Sequence, residues 1–195
     1  MEVQTKKGVY EVRFHGRAGQ GTKSGSQMLA VAAFKEGKSI QAFPEYGSER
    51  RGAPTVAYTR ISDRDIRTHE PIVEPDAVLV FDIGLAKNIP VTAGLHDETG
   101  VLIVNTTKTP EEIRQITGFK GNIYTVDATG ISLELLNIDA PNVPMLGALV
   151  KATDIVKMET LEEVIKEEFL EKLGQSGVDK NITGLKRGYE EVKNG

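Results

Sequence analysis

The sequence predicts an α/β fold: a single three-layer domain over 1–195, with a mixed, largely parallel sheet and helices on its faces. Three observations carry this. Stretches of strand period, such as Tyr10 to Phe14, alternate along the chain with stretches of helical period, such as Leu161 to Leu173. The run D-A-V-L-V-F-D from Asp76 to Asp82 is apolar between two acids, the profile of a strand covered on both faces. The 195 residues, 39% hydrophobic and 27% charged, suffice for one core, and no repeat, low-complexity tract or linker divides them.

Each element has its own local signal. Tyr10, Val12 and Phe14 alternate with Glu11 and Arg13, which predicts a strand with one apolar face. Gly16, Gly19 and Gly21 then break it. From Ser24 to Lys35 the apolar residues Met28, Leu29, Ala32 and Ala33 fall at helical spacing, and Gly37 marks the stop. Ser39 to Phe43 reads as a short strand ended by Pro44, and Pro44 to Pro54 as a loop. Thr55 to Ile61 reads as a strand that turns at Ser62 to Asp65 into a second short strand, Ile66 to Thr68, forming a hairpin. Val101 to Val104 and Ile123 to Val126 are further strands. Between them Thr109, Pro110 and Glu112 predict a helix start with a capping box. Pro141 to Pro144 opens another helix. Thr160 and Glu163 read as a second capping box, leading an apolar stripe of Leu161, Val164, Ile165, Phe169 and Leu173 that Gly174 ends. Ile182, Leu185, Tyr189 and Val192 give the last helix one apolar face.

Composition excludes several functions. The chain has no cysteine, so disulfides and cysteine-ligated zinc or iron–sulfur clusters fall away. The three histidines, His15, His69 and His96, have no ligand spacing, and no metal site is expected. A formal charge of −4 argues against bulk nucleic-acid binding. No apolar run is long enough to span a membrane and no signal-peptide core is present, so the expected location is the cytoplasm.

Two stretches carry candidate chemistry. The first is the glycine turn between strand and helix, where backbone can approach a ligand and the N–H groups of a helix's first turn can hold an anion. Its register rejects a P-loop, because Lys23 sits one position late. Its G-x-x-G-x-G order differs from the dinucleotide fingerprint, which survives as an alternative with Glu45 as the ribose-binding acid. The second is the proline-bracketed loop, with Tyr46, Gly47, Gly52 and the pair Arg50-Arg51. Paired guanidinium groups suit phosphate, although such a pair more often binds neighbouring acids, here Glu45 and Glu49. Asp82 and Asp127 each end a strand and read as caps of the next helix or turn. His15 reads as structural. No catalytic residue is indicated, since neither a triad nor paired carboxylates appear.

Together, H-G-R-A-G-Q-G at His15 to Gly21 and A-F-P-E-Y-G-S-E-R-R-G-A-P at Ala42 to Pro54 resemble the gamma subunits of the 2-oxoacid:ferredoxin oxidoreductases, the pyruvate-oxidising members most closely. R-I-S-D at Arg60 to Asp63, E-P-D at Glu74 to Asp76, and K-N-I with G-Y-E-E-V near the end extend the resemblance over nearly the whole chain. Ala18 departs from the glycine often found there, so the turn must hold that position at negative φ. The resemblance implies a subunit that is inactive alone. It implies assembly with alpha, beta and delta subunits that carry thiamine diphosphate, Mg2+ and iron–sulfur clusters and pass electrons to ferredoxin. It also implies coenzyme A binding here, with Gly19, Gln20, Gly21, Tyr46, Gly47, Glu49, Arg50, Arg51 and Gly52 as the site residues. A branched-chain 2-oxo acid enzyme of the same family, and a free-standing nucleotide-binding protein, are the alternatives.

Overall fold

β1 (Val9–Arg17) is the strand from which the sheet grows in both directions. The computed structural model describes residues 8–45 and 52–195. On one side β1 pairs antiparallel with β3 (Pro54–Ser62), which pairs antiparallel with β2 (Ser39–Glu45). On the other side it pairs parallel with β4 (Ala77–Val80), followed by parallel β5 (Val101–Asn105) and β6 (Asn122–Val126). The two-residue β7 (Lys193–Asn194) closes the β6 edge antiparallel. The order is β2-β3-β1-β4-β5-β6-β7, with β3 and β7 running against the other strands. The sheet is mixed, as expected.

Helices cover both faces and make the three layers. Tyr10, Val12 and Phe14 face α1 (Thr22–Lys35), α4 (Asn142–Thr153) and α5 (Met158–Glu191), packing against Met28, Leu29, Met145, Leu146 and Ile165. On the opposite face Val78, Val80, Leu102, Val104 and Ile123 meet Leu85 and Ile113, from the 3-10 turn Ile83–Lys87 and α2 (Pro110–Thr117). Burial on both sides is why β4 and β5 read as unbroken apolar runs. α5 is interrupted at Gly174, where φ is 67°, so its two halves are the two helices the sequence predicts there.

The expected hairpin through Ile66 to Thr68 is wrong. Residues 66–68 form no strand, and β3 pairs with β2 instead. The segment's backbone oxygens are engaged by side chains: Thr68 O accepts from Gln41 Nε2 at 2.8 Å and Glu70 O from Arg60 Nη2 at 2.6 Å. Strand β2 also runs through Pro44 to Glu45 rather than stopping, since an edge strand can spare the missing N–H. A capping box at Thr160 does not form. Its helix begins earlier, at Met158, where the Lys157 N–H donates to Glu36 Oε1 at 2.8 Å. The stripe beyond it is shorter than expected, with Leu173 52% exposed beside the break. Helix α3 (Ala128–Leu136) was not legible, because Thr129, Gly130 and Ser132 weaken its helical signal.

Candidate functional site

The strand connections diverge at the carboxyl ends of β1 and β4. From β1 the chain crosses through α1 on one face; from β4 it continues through the 3-10 turn and α2 on the other. A sheet that reverses its winding in this way opens a crevice between the two strand ends, the usual place for a ligand in such folds.

The glycine turn joins the carboxyl end of β1 to α1 at this switch point. The Arg17 N–H donates to Gln20 Oε1 at 2.9 Å, and the Gln20 N–H returns to Arg17 O at 3.0 Å. Gly19 and Gly21 take φ of 104° and 78°, while Ala18 stays outside the left-handed region, as its methyl requires. Gly16 has no room for a side chain, since a Cβ there would lie 2.3 Å from Thr22 Oγ1. Gly21 is the N-cap of α1. The helix has neither a side-chain cap nor an acid in its first turn. Its leading N–H groups and the positive end of its dipole therefore have no side-chain cap and no competing carboxylate on the helix.

Arg17 and Asp82 bridge the crevice. Arg17 Nε pairs with Asp82 Oδ2, and Asp82 Oδ1 accepts the Gly84 N–H at 2.7 Å, so Asp82 caps the 3-10 turn as expected. Arg17 Nη1 also donates to Gly52 O at 3.1 Å, and the Ala18 N–H donates to Ala53 O at 2.9 Å. Gly52 is thus tied directly to the glycine turn. Gly19, Gln20, Gly21 and Gly52 come together; Tyr46, Gly47, Glu49, Arg50 and Arg51 lie outside the described residues. Asp127 caps α3 through the Gly130 N–H at 2.9 Å.

Beneath the turn the same face of β1 carries Arg13 and His15. Arg13, 7% exposed, donates to the carbonyls of Ile72, Val91 and Ala93 at 3.3, 3.0 and 2.6 Å, and burial lowers its pKa. His15 is 5% exposed, and neither ring nitrogen has a partner among the described residues. Burial, and then the neighbouring Arg13 charge, push its pKa down to about 4. It is a neutral interior group at physiological pH.

Glu45 does not fit the dinucleotide reading. It sits on β2, with β3 between it and β1, and accepts the Tyr58 hydroxyl at 2.6 Å. Sequence reasoning passed over Arg17, although it lies inside the H-G-R-A-G-Q-G block, and Asn142, whose contact with the turn is a product of tertiary packing.

The fold and site define a doubly wound α/β protein with a glycine turn and an uncapped helix start at its switch point. The family described as pyruvate ferredoxin/flavodoxin oxidoreductase matches residues 11–191. Pyruvate synthase subunit PorC of Thermotoga maritima is 51% identical over 184 residues, covering 94% of this chain and 95% of that one. The pyruvate/ketoisovalerate oxidoreductases common subunit gamma of Thermococcus kodakarensis is 52% identical over 166 residues, covering 85% and 89%. The crystal structure of the Thermotoga maritima pyruvate oxidoreductase subunit PORC superposes with a TM-score of 0.86 at 48% identity, covering 95% of this chain and 98% of that one. The chain belongs to the pyruvate ferredoxin/flavodoxin oxidoreductase family, as a gamma subunit of a 2-oxoacid:ferredoxin oxidoreductase. A 2-oxoglutarate:ferredoxin oxidoreductase from Magnetococcus marinus shares the fold, with a TM-score of 0.74 at 19% identity over 31% of its length.

Proposed function

We propose that this subunit holds coenzyme A for an enzyme that oxidatively decarboxylates pyruvate to acetyl-coenzyme A and carbon dioxide, reducing ferredoxin. The observation that carries the reading is the uncapped start of α1 in a glycine turn at the switch point, with no acid in its first turn. That arrangement suits the phosphates of the cofactor. Arg50 and Arg51, separated from the tethered Gly52 by no more than two peptide bonds, add local positive charge that offsets the net −4 of the chain. Thiamine diphosphate with Mg2+ and the iron–sulfur clusters reside on alpha, beta and delta partners, in agreement with a chain that has no cysteine. Thiamine diphosphate supplies the carbanion chemistry of decarboxylation; this chain's residues bind and orient the acyl acceptor. The complex works in the cytoplasm; among the described residues no helix is long and apolar enough to cross a membrane.

A second reading has one specific support. The Thermococcus kodakarensis relative is described as common to pyruvate and ketoisovalerate oxidoreductases, so a gamma subunit of this kind can serve a branched-chain 2-oxo acid as well. The carbon chain is then read by other subunits.

The test is Arg50→Ala and Arg51→Ala in the assembled complex. Losing one charge-assisted contact costs about 1.5–3 kcal/mol, so the KM for coenzyme A should rise roughly ten- to a hundred-fold while that for pyruvate barely changes. The chain without partners, run as the control with a viologen dye, should give no turnover. An unchanged coenzyme A KM in both variants removes the arginines from the site. Turnover by the chain alone defeats the subunit reading of catalysis.

A further inference from the structure

The two edges of the sheet are finished differently. At one edge β7 pairs with β6 and covers it. At the other, β2 has β3 on its inner side and no strand on its outer side. The ladder fixes which groups lie there. The Phe81 N–H donates to His15 O at 2.7 Å and the Asp76 N–H to Glu11 O at 2.8 Å, so the odd-numbered residues of β1 bond towards β4 and the even-numbered ones towards β3. Phe14 is opposite Ala57, and Tyr58 is opposite Phe43. Carried across these registers, the main chain of Gln41 and Phe43 bonds β3, and that of Ile40, Ala42 and Pro44 points outward. Pro44 fits this arrangement, because it has no N–H to give to a ladder.

An apolar surface lies beside that edge. Phe34, at the end of α1, is 67% exposed, and Ile40 is 36% exposed. With the half-buried Ile66 they line a groove of about 850 Å3. Folded chains usually blunt an open edge, and Pro44 does so at one end of β2 only. The groove also has a charge. Lys38 Nζ is engaged by Asp63 at 2.5 Å, whereas Arg67 on the rim is exposed and has no ion pair among the described residues. Arg64 and Arg67 flank the single acid Asp65, a local positive excess on a chain of net charge −4.

We propose that an extended segment of a different subunit adds a strand to β2: it pairs with Ile40 and Ala42, sets an apolar side chain between Phe34 and Ile40, and brings an acid to Arg67. Main-chain bonds to the edge give affinity, and the groove and the arginine select the segment. This rests on the chain being a subunit of a larger oxidoreductase and goes beyond it by naming the contact. Phe34 ends α1 and the glycine turn starts it, so the contact is separate from the crevice.

Phe34→Glu and Arg67→Glu test the contact in the complex co-expressed with its partner subunits. Both side chains are exposed, so the urea midpoint of the isolated chain should not change. Assembly, followed by mass photometry over a dilution series, should weaken roughly ten- to a hundred-fold in Phe34→Glu and less in Arg67→Glu. Added salt should narrow the difference between Arg67→Glu and wild type, since that contact is a screened charge pair. Phe34→Ala keeps the surface neutral and carries the test if the glutamate variant is not recovered. Hydrogen exchange reads the edge directly. The amides of Ile40 and Ala42 should exchange freely in the isolated chain and become protected in the wild-type complex, while those of Gln41 and Phe43 are slowed in both. A complex that leaves the Ile40 and Ala42 amides unprotected, or that forms equally well from Phe34→Glu, overturns the proposal. Concentration-dependent dimers of the isolated chain with the same protection assign the edge to a second copy and overturn it too. Coenzyme A is absent from these measurements, so the coenzyme A reading stands or falls separately. A wild-type chain that joins no other subunit overturns the contact together with the subunit role.

Discussion

Helix α2 closes its first turn with its own side chains. Thr109 Oγ1 accepts the Glu112 N–H at 3.3 Å, and Glu112 Oε2 accepts the Thr109 N–H at 2.8 Å. Helix α1 starts from Gly21 with no such help, and at a more buried place: Thr22 is 4% exposed, whereas Thr109 lies at the surface. The difference separates a start that is closed by its own side chains from one that is left open. A capping box spends the orphan N–H groups on the chain itself and needs no ligand. The α1 start leaves them free of any side-chain cap, as the proposed coenzyme A site requires, and Gly16 and Gly21 are packed too closely to admit a side chain.

The strongest way to break this comparison is Gly21→Val. Its φ of 78° is hostile to a β-branched residue, and the new Cβ would meet Asn142 at 2.7 Å. Strain and overpacking together should cost about 3–5 kcal/mol, read as a lower urea midpoint of the isolated chain. Gly19→Val is the control. With φ 104° and no atom within 4 Å of its Cβ, it should lose only the backbone share, roughly 1–3 kcal/mol. Equal losses in the two variants would mean that the close contact with Asn142 contributes nothing.

Acid should separate the two regions next. The folded pKa of His15 lies near 4, below its ordinary 6.5. Between those values the unfolded chain binds the proton and the folded chain does not. Stability due to the neutral ring is therefore complete above pH 6.5 and is lost as pH falls towards 4, by roughly 3 kcal/mol in all. Glu112 is also depressed, chiefly by the hydrogen bond from the Thr109 backbone, but its window lies lower, below the ordinary carboxylate value of 4.5. Urea midpoints measured from pH 7.5 to 4.5 should fall in the wild type and flatten in His15→Gln. A wild-type slope retained in that variant would assign the loss to another group.

The smallest expected effect is at the self-sufficient helix. Thr109→Ala should cost about 1 kcal/mol, seen as a small drop in Tm. In the assembled complex it should leave the KM for coenzyme A unchanged. A shifted KM would tie α2 to the site and dissolve the contrast.

Local chemistry made much of this legible in the sequence. The strand–glycine–helix order from Val9 to Lys35, the α2 capping box, the apolar β4 and the break at Gly174 each depend on residues close together in the chain, where propensity and spacing act directly. Both edges of the sheet and part of the site were decided elsewhere. β3 chose β2 over residues 66–68, whose neighbourhood is instead engaged by Gln41 and Arg60 through side-chain bonds to Thr68 O and Glu70 O. β7 exists because the chain's end meets β6 across the folded sheet. Arg17 acquires its partners only when Asp82, 65 residues away, arrives beside it. The meeting of Asn142 with Gly21 likewise exists only once α4 is packed under α1 and against α5. Sequence spacing determines which groups each segment can offer; the packed core determines which of them meet, because burial energy acts on the whole assembly of elements and not on any one stretch.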